Sequence, residues 1–339
     1  MAMPIASIIG GTGQIGLAVA ERLARDGWEV RLVSRAPPPI AGPWQHVAVD
    51  REDRDAFRKA LAGGADLLLD CVAFDERHAD QLLDVQDSVG HLGVISSASV
   101  YCDAQGRTLD EAGQCGFPVF PVPIHEDHRT VEPGPQTYST RKAAIERRIL
   151  DGARAKVTIL RPCAIHGPYS KHAREWWFVK RLLDGRTRIP LAYGGRSRFQ
   201  TTSTQAIAEA LRFSLSSDQS QVLNVVDADA PTVAEIARAI MDSMGRHADL
   251  LGLPDAPYPP ALGATPWSVE KPIVCASSVP STTTYAEGVG RAVRWLIAAT
   301  QHRDWREVLP QLAAYPARHF DYAVDDQALA TAGAKHISI

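Results

Sequence analysis

The stretch Ile5-Ala6-Ser7-Ile8-Ile9-Gly10-Gly11-Thr12-Gly13-Gln14-Ile15-Gly16 decides the fold. Its first five residues are an apolar run that reads as a buried strand, and residues 17–25 carry apolar side chains at helical spacing. Glycines therefore fall where a strand turns sharply into a helix. A turn without side chains lets backbone N–H groups and the positive end of the helix approach a pyrophosphate closely. The spacing G-x-x-G-x-x-G is one residue looser than the G-x-G-x-x-G dinucleotide fingerprint. Its place at the first strand-to-helix junction gives it a weight that a lone glycine cluster lacks. Gly10, Thr12, Gly13, Gln14, Ile15 and Gly16 are the expected contacts.

Beyond this turn, strand and helix patterns alternate. Further strands are expected at 28–33, 46–49, 66–72, 93–97, 157–161 and 222–226, with helices at 54–61 and 78–89 among those between them. Such alternation implies an α/β fold, a Rossmann-type doubly wound parallel sheet that binds ligands at the carboxyl ends of its strands. Residues 101–135 interrupt the pattern with a Pro- and Gly-rich connection, long enough to suggest a lid or binding loop. After Gly167 the pattern becomes irregular, with helices expected at 174–183, 205–215, 233–244 and 285–299. The expected division is a dinucleotide-binding domain at 1–166, to which about 200–228 returns. A smaller C-terminal substrate-binding lobe takes 167–199 and 229–320, and 321–339 reads as a weakly ordered tail.

Composition narrows the function. The 339 residues are 45% hydrophobic and 22% charged, with a net charge of −3, so no strong field favours nucleic acid or a membrane surface. No apolar run approaches the roughly 20 residues of a membrane-spanning helix, and because the first residues enter a strand directly no leader is expected. The five cysteines lack C-x-x-C spacing, as expected of a reduced, cytoplasmic protein. His125-Glu126-Asp127-His128 sits in the Pro-rich connection and is not read as a metal site; Trp176-Trp177 is read as lobe packing.

Tyr138 and Lys142 stand four residues apart in a segment that reads as a helix, so both fall on one face. A lysine near a phenol is expected to lower the Tyr pKa and make Tyr138 a proton donor or acceptor near neutral pH. Ser97 ends the fifth expected strand, where its hydroxyl can hold a substrate oxygen beside Tyr138.

Taken together, these motifs resemble the extended short-chain dehydrogenase/reductase superfamily, of the NAD-dependent epimerase/dehydratase type. Gly10–Gly16 is similar to its glycine motif, Ser96-Ser97-Ala98-Ser99-Val100-Tyr101 to its catalytic Ser/Thr stretch, and Tyr138 with Lys142 to its Tyr-x-x-x-Lys. Leu160-Arg161-Pro162-Cys163-Ala164-Ile165-His166-Gly167-Pro168 resembles the segment whose backbone, near Pro162, faces the nicotinamide. The resemblance implies Ser97, Tyr138 and Lys142 as catalytic residues, the last two also touching the cofactor, and Ser99, Tyr101, His166 and Arg198 on the substrate side. It leaves a homodimer open. Departures are informative. Ala98 and Ser99 stand where sugar-nucleotide dehydratases carry Asp-Glu, so the acid and base for water elimination are missing. Gln200-Thr201-Thr202 after Arg198-Phe199 departs from the nucleotide-sugar pattern.

Cofactor choice is read at the end of the second strand. Ribose recognition in NAD enzymes uses a carboxylate about 20 residues beyond the glycines, and Ser34-Arg35 stands here instead. A guanidinium binds a 2′-phosphate that a carboxylate would repel, so NADP(H) is preferred and NAD(H) allowed. Asp50 is expected near the adenine, Arg51 as a second phosphate ligand, and Val72-Ala73 against the cofactor. The leading expectation is hydride transfer between NADP(H) and a carbonyl or secondary alcohol of a small, sugar-like substrate. The alternative is a sugar or nucleotide-sugar epimerase. A second alternative is a non-catalytic NADP sensor or RNA-binding relative, which the Ser97/Tyr138/Lys142 set argues against.

Overall fold

The computed structural model describes residues 2–254, 262–279, 281–314, 319–331 and 333–337. In chain order its elements begin with β1 (Ile5–Ile9), α1 (Gln14–Arg25), β2 (Glu29–Ser34), β3 (Gln45–Ala48), α2 (Arg54–Leu61), β4 (Ala65–Asp70), α3 (Glu76–Leu83) and β5 (Val89–Ile95). The one-turn α4 (Ala112–Cys115) precedes α5 (Tyr138–Gly152), β6 (Lys156–Pro162), β7 (Ala164–His166), α6 (Trp176–Leu183), β8 (Arg188–Leu191), β9 (Thr201–Ser203), α7 (Thr204–Leu215) and β10 (Gln221–Val225). Then follow α8 (Val233–Met244), β11 (Asp249–Gly252), α9 (Tyr285–Thr300), the short α10 (Trp305–Val308) and α11 (Pro310–Ala313), α12 (Tyr322–Thr331) and β12 (Lys335–His336).

Seven strands form one parallel sheet in the order β10-β6-β5-β4-β1-β2-β3. Its central strands are apolar on both faces because helices cover both. One face packs Ile8, Leu32 and Leu69 on α1 and α7; the other packs Ile9, Leu68 and Val94 with Leu82 of α3 and Ile145 and Ile149 of α5. Strand order reverses between β1 and β4, which opens the crevice where such sheets bind ligands. The glycine turn after β1 and Val72-Ala73 after β4 flank that crevice.

A second core lies in the C-terminal lobe, where Trp177, Phe178, Ile236, Trp267, Val289 and Leu296 pack together. Trp176 and Trp177 are core residues there, 3% and 2% exposed. The described residues of 321–337 carry α12 and β12. β12 pairs antiparallel with β11, and Asp325 of α12 forms a buried ion pair with Arg181 of α6, 2.9 Å apart. Sequence periodicity misses this contact because its partner lies 144 residues away. The helix expected over 78–89 ends at Leu83 and gives way to a 3-10 turn at Gln86–Ser88, and β5 then starts at Val89 rather than 93. Residues 101–135 are pinned rather than loose. Asp110 accepts the Ser139 N–H at 2.8 Å, and Glu126 accepts the N–H groups of Asn224 and Ser278. No helix among the described residues is long and apolar enough to cross a membrane.

Candidate active site and cofactor cleft

The turn after β1 is built from backbone. Gly10 sits at φ +71°, a left-handed conformation that favours glycine, and a Cβ there would come within 2.5 Å of Val72. Gly13 caps α1 without a side chain, and no acidic residue occupies the first helical turn. The unpaired N–H groups of that turn are therefore left for an anion. A side chain at Gly13 would project into the cleft, meeting only the Gly10 carbonyl at 3.4 Å. Gly16 packs onto Gly11, Ile15 is buried in the core, and the Gln14 Oε1 is buried without a partner among the described residues. Ile15 and Gly16 thus offer a ligand only their backbone.

A cleft of about 400 Å³ runs from this turn across the ends of β2 and β3, lined by Gly10, Thr12, Gly13, Ser34, Arg35, Asp50, Arg51 and Val72. Arg35 is exposed on its wall, with no partner among the described residues. Arg51 is not free for a second phosphate. Its guanidinium lies 2.9 Å from the buried Asp70 carboxylate and donates to Gln81 Oε1 at 3.0 Å, an attachment that keeps Asp70 from being an unpaired buried charge. Ser34 Oγ donates to Ala36 O, and the exposed Asp50 carboxylate accepts the Glu52 N–H at 3.1 Å. The bare glycine wall, the orphan amide oxygen and an exposed cation without a partner among the described residues fit a dinucleotide.

The reactive end is built by α5. Thr137 and Thr140 cap each other reciprocally, which fixes Tyr138 as the first helical residue. Tyr138 remains 42% exposed beside Ser97. Ser97 caps the turn after β5, its Oγ accepting the Ser99 N–H at 3.1 Å. Lys142, one turn along, is buried, and its ammonium donates to Ala73 O at 2.7 Å and Ile95 O at 2.9 Å. Burial pulls its pKa down to about 8, against the opposing pull of Asp70 and Glu146. The expected lowering of the Tyr138 pKa is not found: burial pushes the phenol up, and the nearby Ser97 hydroxyl and Arg174 offset that only in part. Lys142 has spent two of its protons on carbonyls and stands 5.8 Å from the phenol ring centroid. Pro162 ends β6, buried against β10, and Cys163 follows with its thiol pushed well up by neighbouring Cys275 and by burial.

Three residues expected on the substrate side are engaged by partners within the protein. The Tyr101 hydroxyl is 1% exposed and spent: it donates to Asn224 Oδ1 at 2.8 Å and accepts from Arg161 at 3.0 Å. His166 is buried at the lobe junction, 2.7 Å from Asp227 and in edge contact with the Tyr285 ring. Burial opposes its charge, but Asp227, with Glu175 and Asp229, outweighs it and raises the pKa. Arg198 is exposed, donating to Ala230 O at 2.6 Å beside the start of α8. Ser99 stays beside Ser97, its Oγ buried without a partner among the described residues. Glu146 was not anticipated. It accepts from Ser96 at 2.5 Å and from Arg161 at 2.6 and 3.0 Å, joining α5 to β5 and β6. Its position one turn beyond Lys142, on a face that must be buried, was the available signal.

The profile of the NAD dependent epimerase/dehydratase family matches residues 6–225. The chain belongs to this family. Among solved structures, it is similar to the UDP-N-acetylglucosamine 4-epimerase of Methanobrevibacter ruminantium M1 in complex with UDP-N-acetylmuramic acid. Identity is 18% and the TM-score 0.66, over 88% of this chain and 100% of that one. It is also similar to the Bordetella bronchiseptica enzyme WbmH in complex with NAD+, at 16% identity and TM-score 0.65, over 87% of this chain and 98% of that one. At these identities the likeness is one of fold. Among curated proteins, the chloroplast stem-loop binding protein of 41 kDa b from Arabidopsis thaliana is 25% identical over 257 residues, 70% of this chain. This epimerase/dehydratase-family chain matches 62% of that relative's length.

Proposed function

We propose that this protein oxidises and re-reduces a secondary-alcohol carbon of a sugar-like substrate with a bound nicotinamide dinucleotide, acting as an epimerase. The observation that carries the reading is the convergence of Ser97, Tyr138 and Lys142 at the carboxyl edge of β5, beside a bare glycine turn, in a chain of this family. Family membership, and neighbours solved with NAD+ and with a nucleotide sugar, move epimerisation ahead of the net reduction that the sequence put first.

When bound, the nicotinamide supplies two-electron redox chemistry at the substrate carbon. The backbone of Gly10–Gly16 would hold its pyrophosphate, and Val72 and Ala73 would pack along it. Tyr138 exchanges one proton with the substrate oxygen: it takes the proton as the alcohol becomes a carbonyl and returns it on reduction. Ser97 orients that oxygen. Lys142, fixed by two carbonyls, holds its ammonium one helical turn from the phenol, where it would meet the bound coenzyme. Ala98 and Ser99 supply neither acid nor base for water elimination, so dehydration is not part of the reading.

A specific observation favours a second reading, net reduction of a carbonyl with NADPH. Arg35 lines the cleft, with no partner among the described residues, where an NAD enzyme carries a carboxylate. Incubation with candidate sugars and either coenzyme separates the two. Inversion of a stereocentre without net coenzyme consumption supports the first reading, and stoichiometric NADPH oxidation supports the second. If neither occurs and the protein shifts an RNA stem-loop in a mobility assay, the redox reading fails and the curated relative's name becomes the better guide.

A further inference from the structure

We infer that Lys171, in the loop after β7, closes the cofactor cleft over the pyrophosphate. The inference rests on the dinucleotide reading above and adds to it a cation from the far side of the cleft. Lys171 lines the same cleft as Thr12, Gly13 and Arg35. It is exposed, and its ammonium has no partner among the described residues.

The path of the chain selects the pyrophosphate over the adenosine end. Ile165 and Tyr169 pack on the core cluster that contains Ile15 and Leu17, the first turns of α1. Lys171 follows two residues later and lines the cleft together with Thr12 and Gly13 of the glycine turn. The loop is held in place. Tyr169 takes a left-handed φ of +65°, which a bulky residue adopts only where its surroundings impose it, and its ring packs on Trp295 at 5.6 Å. Ser170 Oγ accepts the His172 N–H, and the Lys171 carbonyl accepts the N–H groups of Gln311 and Leu312 at 3.2 and 3.3 Å. A fixed backbone carrying one free ammonium suits a fixed anion.

Charge points the same way. The acidic residues of the cleft, Asp50 and Glu52, follow β3 at the adenosine end, and Arg51 is neutralised by Asp70. A doubly charged pyrophosphate at the glycine turn would meet backbone N–H groups on one side and Lys171 on the other.

The test uses the full chain, with dissociation constants measured by calorimetry for NADPH and NADH and by competition for adenosine 2′-monophosphate, which lacks a pyrophosphate. Lys171→Met should weaken NADPH and NADH by the same factor, about tenfold, the usual loss for a charge-assisted contact. It should leave adenosine 2′-monophosphate unchanged, and Lys171→Arg should keep most of the affinity. The melting temperature without coenzyme should not move, since the side chain is exposed. A loss confined to NADPH and adenosine 2′-monophosphate would assign Lys171 to the 2′-phosphate and overturn the inference. Unchanged binding of both coenzymes would overturn it too, while leaving the dinucleotide reading intact. Failure of the unaltered protein to bind either coenzyme would remove that reading and this one with it.

Discussion

Replacing Glu146 by alanine should be among the most destabilising single changes in the first 225 residues. The carboxylate is 4% exposed and accepts three hydrogen bonds, one from Ser96 and two from Arg161. Without it, Arg161, itself 6% exposed, keeps only the Tyr101 hydroxyl and the Glu126 carbonyl and becomes a buried charge without a counter-ion. Breaking one side of a buried pair costs about 3–5 kcal/mol, and the stranded Ser96 hydroxyl adds about 1 kcal/mol. Alanine is the best helix former, so α5 itself is not weakened and the loss belongs to the network. The expected total is about 4–6 kcal/mol, read as a lowered urea midpoint by circular dichroism without coenzyme. The double change Glu146→Leu with Arg161→Met removes both charges at similar volume and should recover most of that loss. A single variant within about 1 kcal/mol of the parent, or a double variant no better than the single one, would refute the argument. Activity should fall as well, because the same carboxylate ties the helix bearing Tyr138 and Lys142 to the sheet.

Other expectations are more direct. Arg35→Ala should weaken NADPH by about 1.5–3 kcal/mol, roughly tenfold to a hundredfold, and leave NADH unchanged; calorimetry showing equal effects on both would remove Arg35 from the 2′-phosphate. Tyr138→Phe should abolish most turnover while coenzyme affinity stays near that of the parent, and retained turnover across pH would exclude the phenol as the proton carrier. His166→Gln keeps a donor for Asp227 but cannot be charged. The folded pKa of His166 is raised, so its charge contributes stability that is full below about pH 6.5 and fades as pH rises through the folded value. The stability deficit of the variant should therefore be largest near pH 6 and shrink toward pH 9; a deficit that grows with pH would reverse the assignment.

What was legible in the sequence was what depends on local pattern. The parallel sheet, the glycine turn and the Tyr138–Lys142 helix follow from short-range periodicity and spacing, and each appears within a few residues of its expected bounds. What was not legible depends on pairing across long separations. Tyr101 reads as part of a catalytic stretch, yet its hydroxyl is taken by Asn224, 123 residues away. Arg51 reads as a free cation, and only the fold reveals Asp70 beneath it. The direction of the Tyr138 pKa was misjudged because spacing gives proximity to Lys142 but not the carbonyls that claim the ammonium.

The buried ion pair between Arg181 and Asp325 also bears on the order in which the protein is assembled during synthesis. The guanidinium stacks on Trp177 at 3.5 Å and is 2% exposed, yet its counter-ion leaves the ribosome more than 140 residues later. Until then the lobe holds a cation that cannot be sealed from water without cost, although the chain of all seven parallel strands, ending with β10, has already been made. α12 then supplies the counter-ion with which the lobe's core can close without this cost.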